Sequence, residues 1–516
     1  MTPGYNLLDE PWLPVRFADG RVRDVGLLEL FERAGEIAAL AETAPPSLIA
    51  EYRLLLAITH RALTRSHGSW KDRDRARWYR EGLPRDALRD YLEHWRERFW
   101  LFHPEQPFMQ VAALASIEET RDRQKPWTQV SLGSANGNAP VVFDHSCDLS
   151  PAPVTPAQAL RTLLGFLQFT PGGLVKTLRD SDKAGPLANS AAALPVGATL
   201  QQTLCLALHP ASDRDDPPAW ERAPAQRRDL LAAPAPASGT NDRYTRRSRA
   251  VLLLEAEEGH VRWLRFAAGI ALGDDPHAPD PMASYRAGKD TLVRMSFTEG
   301  RAFWRDLPAL LPDPEGKVSQ PAAILGWAAN LQIFLGASRG EQSLLIAGLA
   351  SDQAKLLRWR CERIVLPAVL LADAGLAGLL RAEVRRAEAL HERIRSLATG
   401  MLAETMADPR GKDTRARARA MLDAGASAAV FFAGVERALP GLFRRLAEGD
   451  GEGAGRYWSD SLLQAAEACW EVLCRSLGRS PLALCAEARV WPRFRALLRD
   501  LRPTVPNPEK SEEAHA

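Results

Sequence analysis

Tyr457-Trp-Ser-Asp-Ser-Leu-Leu-Gln-Ala-Ala-Glu-Ala-Cys-Trp-Glu-Val-Leu-Cys-Arg-Ser-Leu477 sets apolar residues three and four apart along its length. That is the period of a helix with one buried face. Three further segments read the same way: roughly Pro367 to Ala407, Arg415 to Glu448, and Pro481 to Leu501. Breakers separate them at Pro409-Arg410-Gly411, along Gly449 to Gly455, and at Gly478-Arg479-Ser480-Pro481. Amphipathic helices on short links predict an antiparallel four-helix bundle. The polar residues from Thr504 to Ala516 are expected to fray.

Upstream the pattern is mixed. Tyr5 to Arg16 reads as a short strand broken by prolines, with Gly20 turning into a second strand over Arg21 to Val25. Leu27 to Ala41, Pro46 to Thr64, Asp86 to Phe102 and Thr155 to Phe169 read as helices. Thr128 to Leu149, punctuated by Gly133, Asn136, Gly137, Asn138 and Pro140, reads as one long loop. Loops of that length in a compact domain are functional or disordered. Thr199 to Leu208 reads as a strand or a short apolar helix, and Ser212 to Gly239 as irregular surface chain. Ala250 to Glu255 and Val261 to Ala268 are predicted to pair as strands. Helices are predicted again at Arg301 to Leu311 and Pro321 to Leu335. The predicted fold class is α+β: a large mixed domain over 1–365, the bundle over 366–503, and a tail from 504 to 516.

A chain of 516 residues exceeds a single core, so two or more domains are expected. Charge is nearly balanced, 66 basic against 64 acidic residues, which argues against a protein that holds DNA by itself. Local basic patches can still touch nucleic acid if partners supply most phosphate contacts. The arginines of the bundle, among them Arg381, Arg385, Arg386, Arg393 and Arg395, read as a solvated face or as a contact for a strand or an acidic partner. No run of about 18 apolar residues suggests a membrane span. Met1 to Asn6 lacks the basic-then-apolar run of a secretory signal, so a cytoplasmic protein is expected.

Catalytic patterns are missing. The six cysteines form no C-x-x-C pair and the ten histidines no H-E-x-x-H, so neither a metal nor a cofactor is expected. There is no G-x-S-x-G elbow, and Gly172-Gly173 lacks the lysine and hydroxyl of a phosphate-binding loop. Asp144-His145 has the chemistry of an acid–base pair but no nucleophile is tied to it. The expectation is a protein that is not an enzyme. The alternative is a stand-alone cytoplasmic helical enzyme, which would show carboxylates or histidines converging in a cleft.

Asn6-Leu-Leu-Asp-Glu-Pro-Trp-Leu-Pro-Val-Arg16 resembles the opening of the CasA family, the large subunit of the type I-E CRISPR Cascade complex. His103-Pro-Glu-Gln-Pro-Phe-Met-Gln110 is similar to that family's H-x-x-x-P-F-M-Q stretch, and Ile346 to Lys355 to a segment with a short Asn/Asp-Gln-Ala turn. Phe143-Asp144-His145 and Pro171-Gly172-Gly173 fall between them in the family's order. The resemblance spans nearly the whole chain. It implies a non-catalytic subunit that recognises the protospacer-adjacent motif (PAM) of double-stranded DNA through the minor groove. It further implies help in opening the duplex for guide pairing, and recruitment of a CRISPR nuclease-helicase. The implied partners are the guide RNA, the backbone, small and guide-end Cascade subunits, the target DNA and that nuclease-helicase.

By resemblance, Gly172 and Gly173 belong to a glycine loop against the PAM, where the lack of a Cβ permits close approach. A helix C-cap after Phe169 is the other reading. Phe143, Asp144 and His145 stand where the family places a PAM-sensing segment, or Phe143 anchors the loop to its own domain. Arg265 stands loosely where the family uses a basic finger, a sensible residue for a narrow minor groove. Asp352, Gln353 and Ala354 correspond to a wedge that parts the first target base pair, at a few kcal/mol per unstacked step. Otherwise Gln353 caps a helix over Ala354 to Ile364.

Overall fold

Helix Pro45–His67 is buried on nearly every side from Pro45 to His60, so it is a central element rather than an amphipathic surface helix. In the computed structural model it packs against helices Pro156–Phe169 and Arg85–His94 and against strand Glu341–Asp352. The structure describes residues 4–134, 148–173, 175, 177–212, 214–256, 259–275, 278–337, 340–352 and 355–501. The chain divides into two compact units. One comprises the described residues up to 301 together with 309–372; the other comprises 302–308 and the described residues from 373.

The first unit mixes helices with small antiparallel sheets. Leu13–Phe17 lies between Val22–Val25 and Ile37–Leu40. Val261–Ala268 lies between Lys125–Pro126 and Arg249–Glu255, the pairing expected from the sequence. Tyr285–Ala287 is flanked by Leu292–Arg294 and Ser319–Gln320. The longest ladder joins Glu341–Asp352 to Lys355–Pro367, with Ala191–Val196 on the other side of Glu341–Asp352.

Several expectations are corrected here. The helix over Leu27 to Ala41 stops at Glu32, and Ile37–Leu40 becomes a strand, with Val15 opposite Leu40. The helix over Asp86 to Phe102 stops at His94, and Trp100–Phe102 pairs with Gly4–Asn6. The helix over Ala354 to Ile364 is instead the strand Lys355–Pro367. In the first two cases pairing with a strand distant in sequence outweighs local helical periodicity, and in the third the adjacent hairpin strand Glu341–Asp352 does. Thr199 to Leu208 resolves to a helix, Leu200–Ala207, whose Thr199 hydroxyl accepts from the Gln202 N–H at 3.3 Å. Arg301 to Leu311 forms a 3-10 helix over Phe303–Leu310, with Pro308 inside it.

The second unit is helical: Ala374–Ala403, Lys412–Asp423, Ser427–Ala447, Gly451–Leu477 and Pro481–Arg499. The expected single helix over Arg415 to Glu448 is two, broken at Ala424-Gly425-Ala426, where glycine weakens the helix. Conversely, the glycine run after Gly449 does not break the chain beyond Asp450, whose carboxylate accepts from the Gly453 N–H at 2.8 Å and starts the next helix. Asp373 caps Ala374–Ala403 through the Gly375 and Leu376 N–H groups. Trp470 stacks on Phe494 with centroids 4.1 Å apart. Among the described residues no single helix is long and apolar enough to cross a membrane.

Candidate nucleic-acid interface

Helix Pro156–Phe169 ends at Thr170, whose N–H donates to the Phe166 carbonyl at 2.8 Å. Gly172 and Gly173 come after that closure and are exposed, so they do not cap the helix. Gly173 and Asp182 exchange backbone hydrogen bonds of 3.2 and 2.9 Å. Gly185 N–H to Thr170 O and Leu187 N–H to Gln168 O, both 2.8 Å, bring the two ends of the loop together. A Cβ on Gly173 would meet nothing within 4 Å, so its outer side is open to a ligand.

A buried ion pair holds this loop from beneath. Asp182 accepts from Arg249 Nη1 at 3.2 Å and from the Gly269 N–H at 2.8 Å. Arg249 donates from Nη2 to the Pro171 carbonyl and from Nη1 to the Lys183 carbonyl, each at 2.7 Å. One guanidinium therefore clamps both arms of the loop, and burial lowers its pKa below the ordinary value despite Asp182. One layer deeper, Arg53 donates to Gln168 Oε1 at 2.7 Å and pairs with Asp280. Burial would push the Asp280 carboxyl up, but the Arg53 and Arg243 charges outweigh it and hold it below the usual range.

The hairpin Glu341–Asp352/Lys355–Pro367 is built to project. Ala191–Val196 pairs only with Ser343 through Gly348, leaving Leu349 to Asp352 beyond the third strand. Four residues of strand extend about 13 Å. Asp352 pairs with Lys355 at the end of this arm. At the arm's base, opposite Leu349, stands Trp359, 37% exposed. Gly133, in the first part of the long loop, packs on its indole.

The profile of the family described as CRISPR-associated protein Cse1 matches residues 6–469. The chain belongs to the CRISPR-associated Cse1 family. A CasA/Cse1 protein of Thermus thermophilus is 36% identical over 512 residues, covering 96% of this chain and 98% of that protein. A solved structure of Thermus thermophilus CasA (Cse1) superposes with a TM-score of 0.82 at 33% identity, covering 96% of this chain and 100% of its own. A chain of a structure described as a CRISPR RNA-guided surveillance complex shares the fold, with a TM-score of 0.75 at 24% identity and coverage of 96% and 100%.

Within this Cse1-family chain, the sequence-predicted site residues are placed as follows. Gly172 and Gly173 form the exposed loop, and Asp352 ends the projecting strand. Phe143, Asp144, His145, Gln353 and Ala354 lie outside the described residues. Arg265 sits on strand Val261–Ala268 with Nε and Nη2 donating to the Arg121 carbonyl at 3.1 and 2.8 Å, so its guanidinium is engaged by the end of the short helix Glu118–Arg121. The same strand reaches the glycine loop at Ala268, whose N–H donates to the Thr177 carbonyl at 3.3 Å. Sequence reasoning missed the Gly288-Lys289-Asp290-Thr291 turn between Tyr285–Ala287 and Leu292–Arg294. Lys289 is exposed there, with no ion pair among the described residues, and Arg294 of the same hairpin donates to the Pro186 carbonyl at 3.0 Å. The turn residues themselves were the available signal. Among the described residues no group of three or more His, Cys, Asp or Glu could hold a metal ion.

Proposed function

We propose that this chain serves as the non-catalytic large subunit of an RNA-guided CRISPR surveillance complex of the type I-E kind, reading the PAM and starting R-loop formation. The projecting hairpin carries the proposal: a two-stranded arm that outruns its third strand and ends on Asp352, with Gln353 and Ala354 next in sequence, suits a wedge between base pairs. The exposed Gly172-Gly173 loop offers backbone to the minor groove, and by resemblance Phe143, Asp144 and His145 belong to the PAM-sensing segment. Lys289 is a freer basic finger than Arg265, whose donors are already engaged. The partners are the guide RNA, the backbone, small and guide-end subunits, double-stranded target DNA and a nuclease-helicase, in the cytoplasm. The four long helices of the second unit act as an antiparallel bundle, with Lys412–Asp423 as an added short helix.

Guide pairing and duplex opening nearly balance, so a small initial opening decides the outcome. In a reconstituted complex, Asp352→Ala with Gln353→Ala is expected to slow opening of a supercoiled target while PAM-duplex binding persists. Unchanged opening kinetics would overturn the wedge. The chain by itself is expected to bind DNA weakly, given a net charge of +2.

A further inference from the structure

Helix Lys412–Asp423 leaves an unusual charged face exposed along an open groove of its own unit. Lys412, Arg415, Ala416, Arg419, Ala420 and Asp423 recur at helical spacing and line a cavity of about 790 Å³ shared with helices Ala374–Ala403 and Pro481–Arg499. A packed helix ordinarily buries an apolar stripe; in this one Ala418 alone is buried. Arg410 and Arg493 complete five cations on the lining, and among the described residues none of the five takes part in an ion pair. Lys412, Arg415 and Arg419 stand three and four residues apart, a like-charge arrangement that weakens a helix unless an anion sits among them.

The two acids on the lining do not neutralise these cations. Asp423 is held by Arg395 at 2.6 Å and Glu404 by Arg489 at 3.1 Å. The 12 residues of this helix span about 18 Å, long enough to seat a small molecule. The volume falls within the roughly 300–1,000 Å³ of small-ligand sites. Leu397 and Val490 supply an apolar wall beside the cations, suited to a sugar and base.

We propose that this cavity binds a small phosphate-rich ligand of the nucleoside triphosphate class, with Arg415 and Arg419 on the phosphates. Guanidinium groups suit that task because they are always charged and match phosphate geometry. The site is independent of the DNA-reading role.

Titration of the full chain with ATP is expected to show saturable single-site binding that weakens with salt. Arg415→Gln with Arg419→Gln should weaken it about tenfold or more. Arg417→Gln, on the same helix but off the lining, should leave it unchanged. The double variant without ligand should melt no lower than the parent, because the charges removed have no partner to lose. Absence of saturable ATP binding overturns the proposal, as does equal affinity in the double variant. A short single-stranded oligonucleotide that binds through Arg415 and Arg419 where ATP does not would also overturn it.

Discussion

The Trp359 indole occupies the space that a side chain on residue 133 would need: a Cβ on Gly133 would lie 2.5 Å from Cζ2 and 2.7 Å from Cη2. Those two residues join the long loop to the base of the projecting hairpin. Gly133→Ala is therefore expected to push the indole aside and uncouple the two. Trp359 is part-exposed, so the stability cost should stay within about 1 kcal/mol. Target opening by the assembled complex should slow all the same. Adding Trp359→Leu makes room for the new methyl and should recover part of the rate. A double variant no better than Gly133→Ala would separate the loop from the hairpin.

Asp182→Ala tests the clamp beneath the glycine loop. The carboxylate is inaccessible and Arg249 nearly so, 0% and 3% exposed at their side chains. Removing one partner leaves a buried guanidinium uncompensated, which costs about 3–5 kcal/mol. Urea denaturation should register that loss. Arg249→Lys in the parent background should itself lower stability, since an ammonium cannot reach the Pro171 and Lys183 carbonyls as a planar fork does.

Gly348 is fixed for a different reason. A Cβ there would stand 2.2 Å from the Ser190 carbonyl oxygen, a backbone atom that cannot swing away. Gly348→Ala should part the hairpin from Ala191–Val196 and cost about 2–3 kcal/mol. Hydrogen exchange should show faster opening at Leu344 to Ala347, the residues paired to that strand. Unchanged protection would mean that the sheet absorbs the methyl.

What the sequence made legible divides along physical lines. Periodicity identified helices Pro156–Phe169 and the long helices of the second unit, because one helix face records its burial locally, while Pro45–His67 stood out by its long apolar run. Periodicity failed at Ile37–Leu40 and Trp100–Phe102, where the deciding partner lies far along the chain, and at Lys355–Pro367, which folds back on the adjacent strand Glu341–Asp352 as a hairpin. The glycine loop was visible as Pro171-Gly172-Gly173, yet its clamp was not. Arg246-Arg247-Ser248-Arg249 puts three charges in four residues, yet Arg246, Arg247 and Arg249 are buried. Only the fold shows that Asp182 and the Pro171, Lys183 and Ser248 carbonyls receive the Arg249 guanidinium.

The stacked rings of His60 and His209, centroids 3.7 Å apart, predict acid sensitivity. Asn241 Nδ2 donates to His60 Nδ1 at 3.1 Å, which leaves the His60 proton on Nε2, facing the Pro210 carbonyl at 3.3 Å. Both His209 nitrogens are buried without a hydrogen-bond partner. Burial pushes the His60 pKa down to about 4; burial and the facing His60 ring push His209 well below its ordinary value. In the unfolded chain both imidazoles take up a proton near pH 6.5. Between about 6.5 and 4 the unfolded state therefore binds more protons than the folded one, and stability falls as pH falls. His60 alone contributes about 1.4 kcal/mol per pH unit across that window. Above it neither histidine adds a slope. Urea denaturation at pH 7, 6 and 5 should show the decline, and His209→Phe, which keeps a ring beside His60, should remove roughly half of it. A variant whose stability declines as steeply as the parent's would assign the acid sensitivity to other groups.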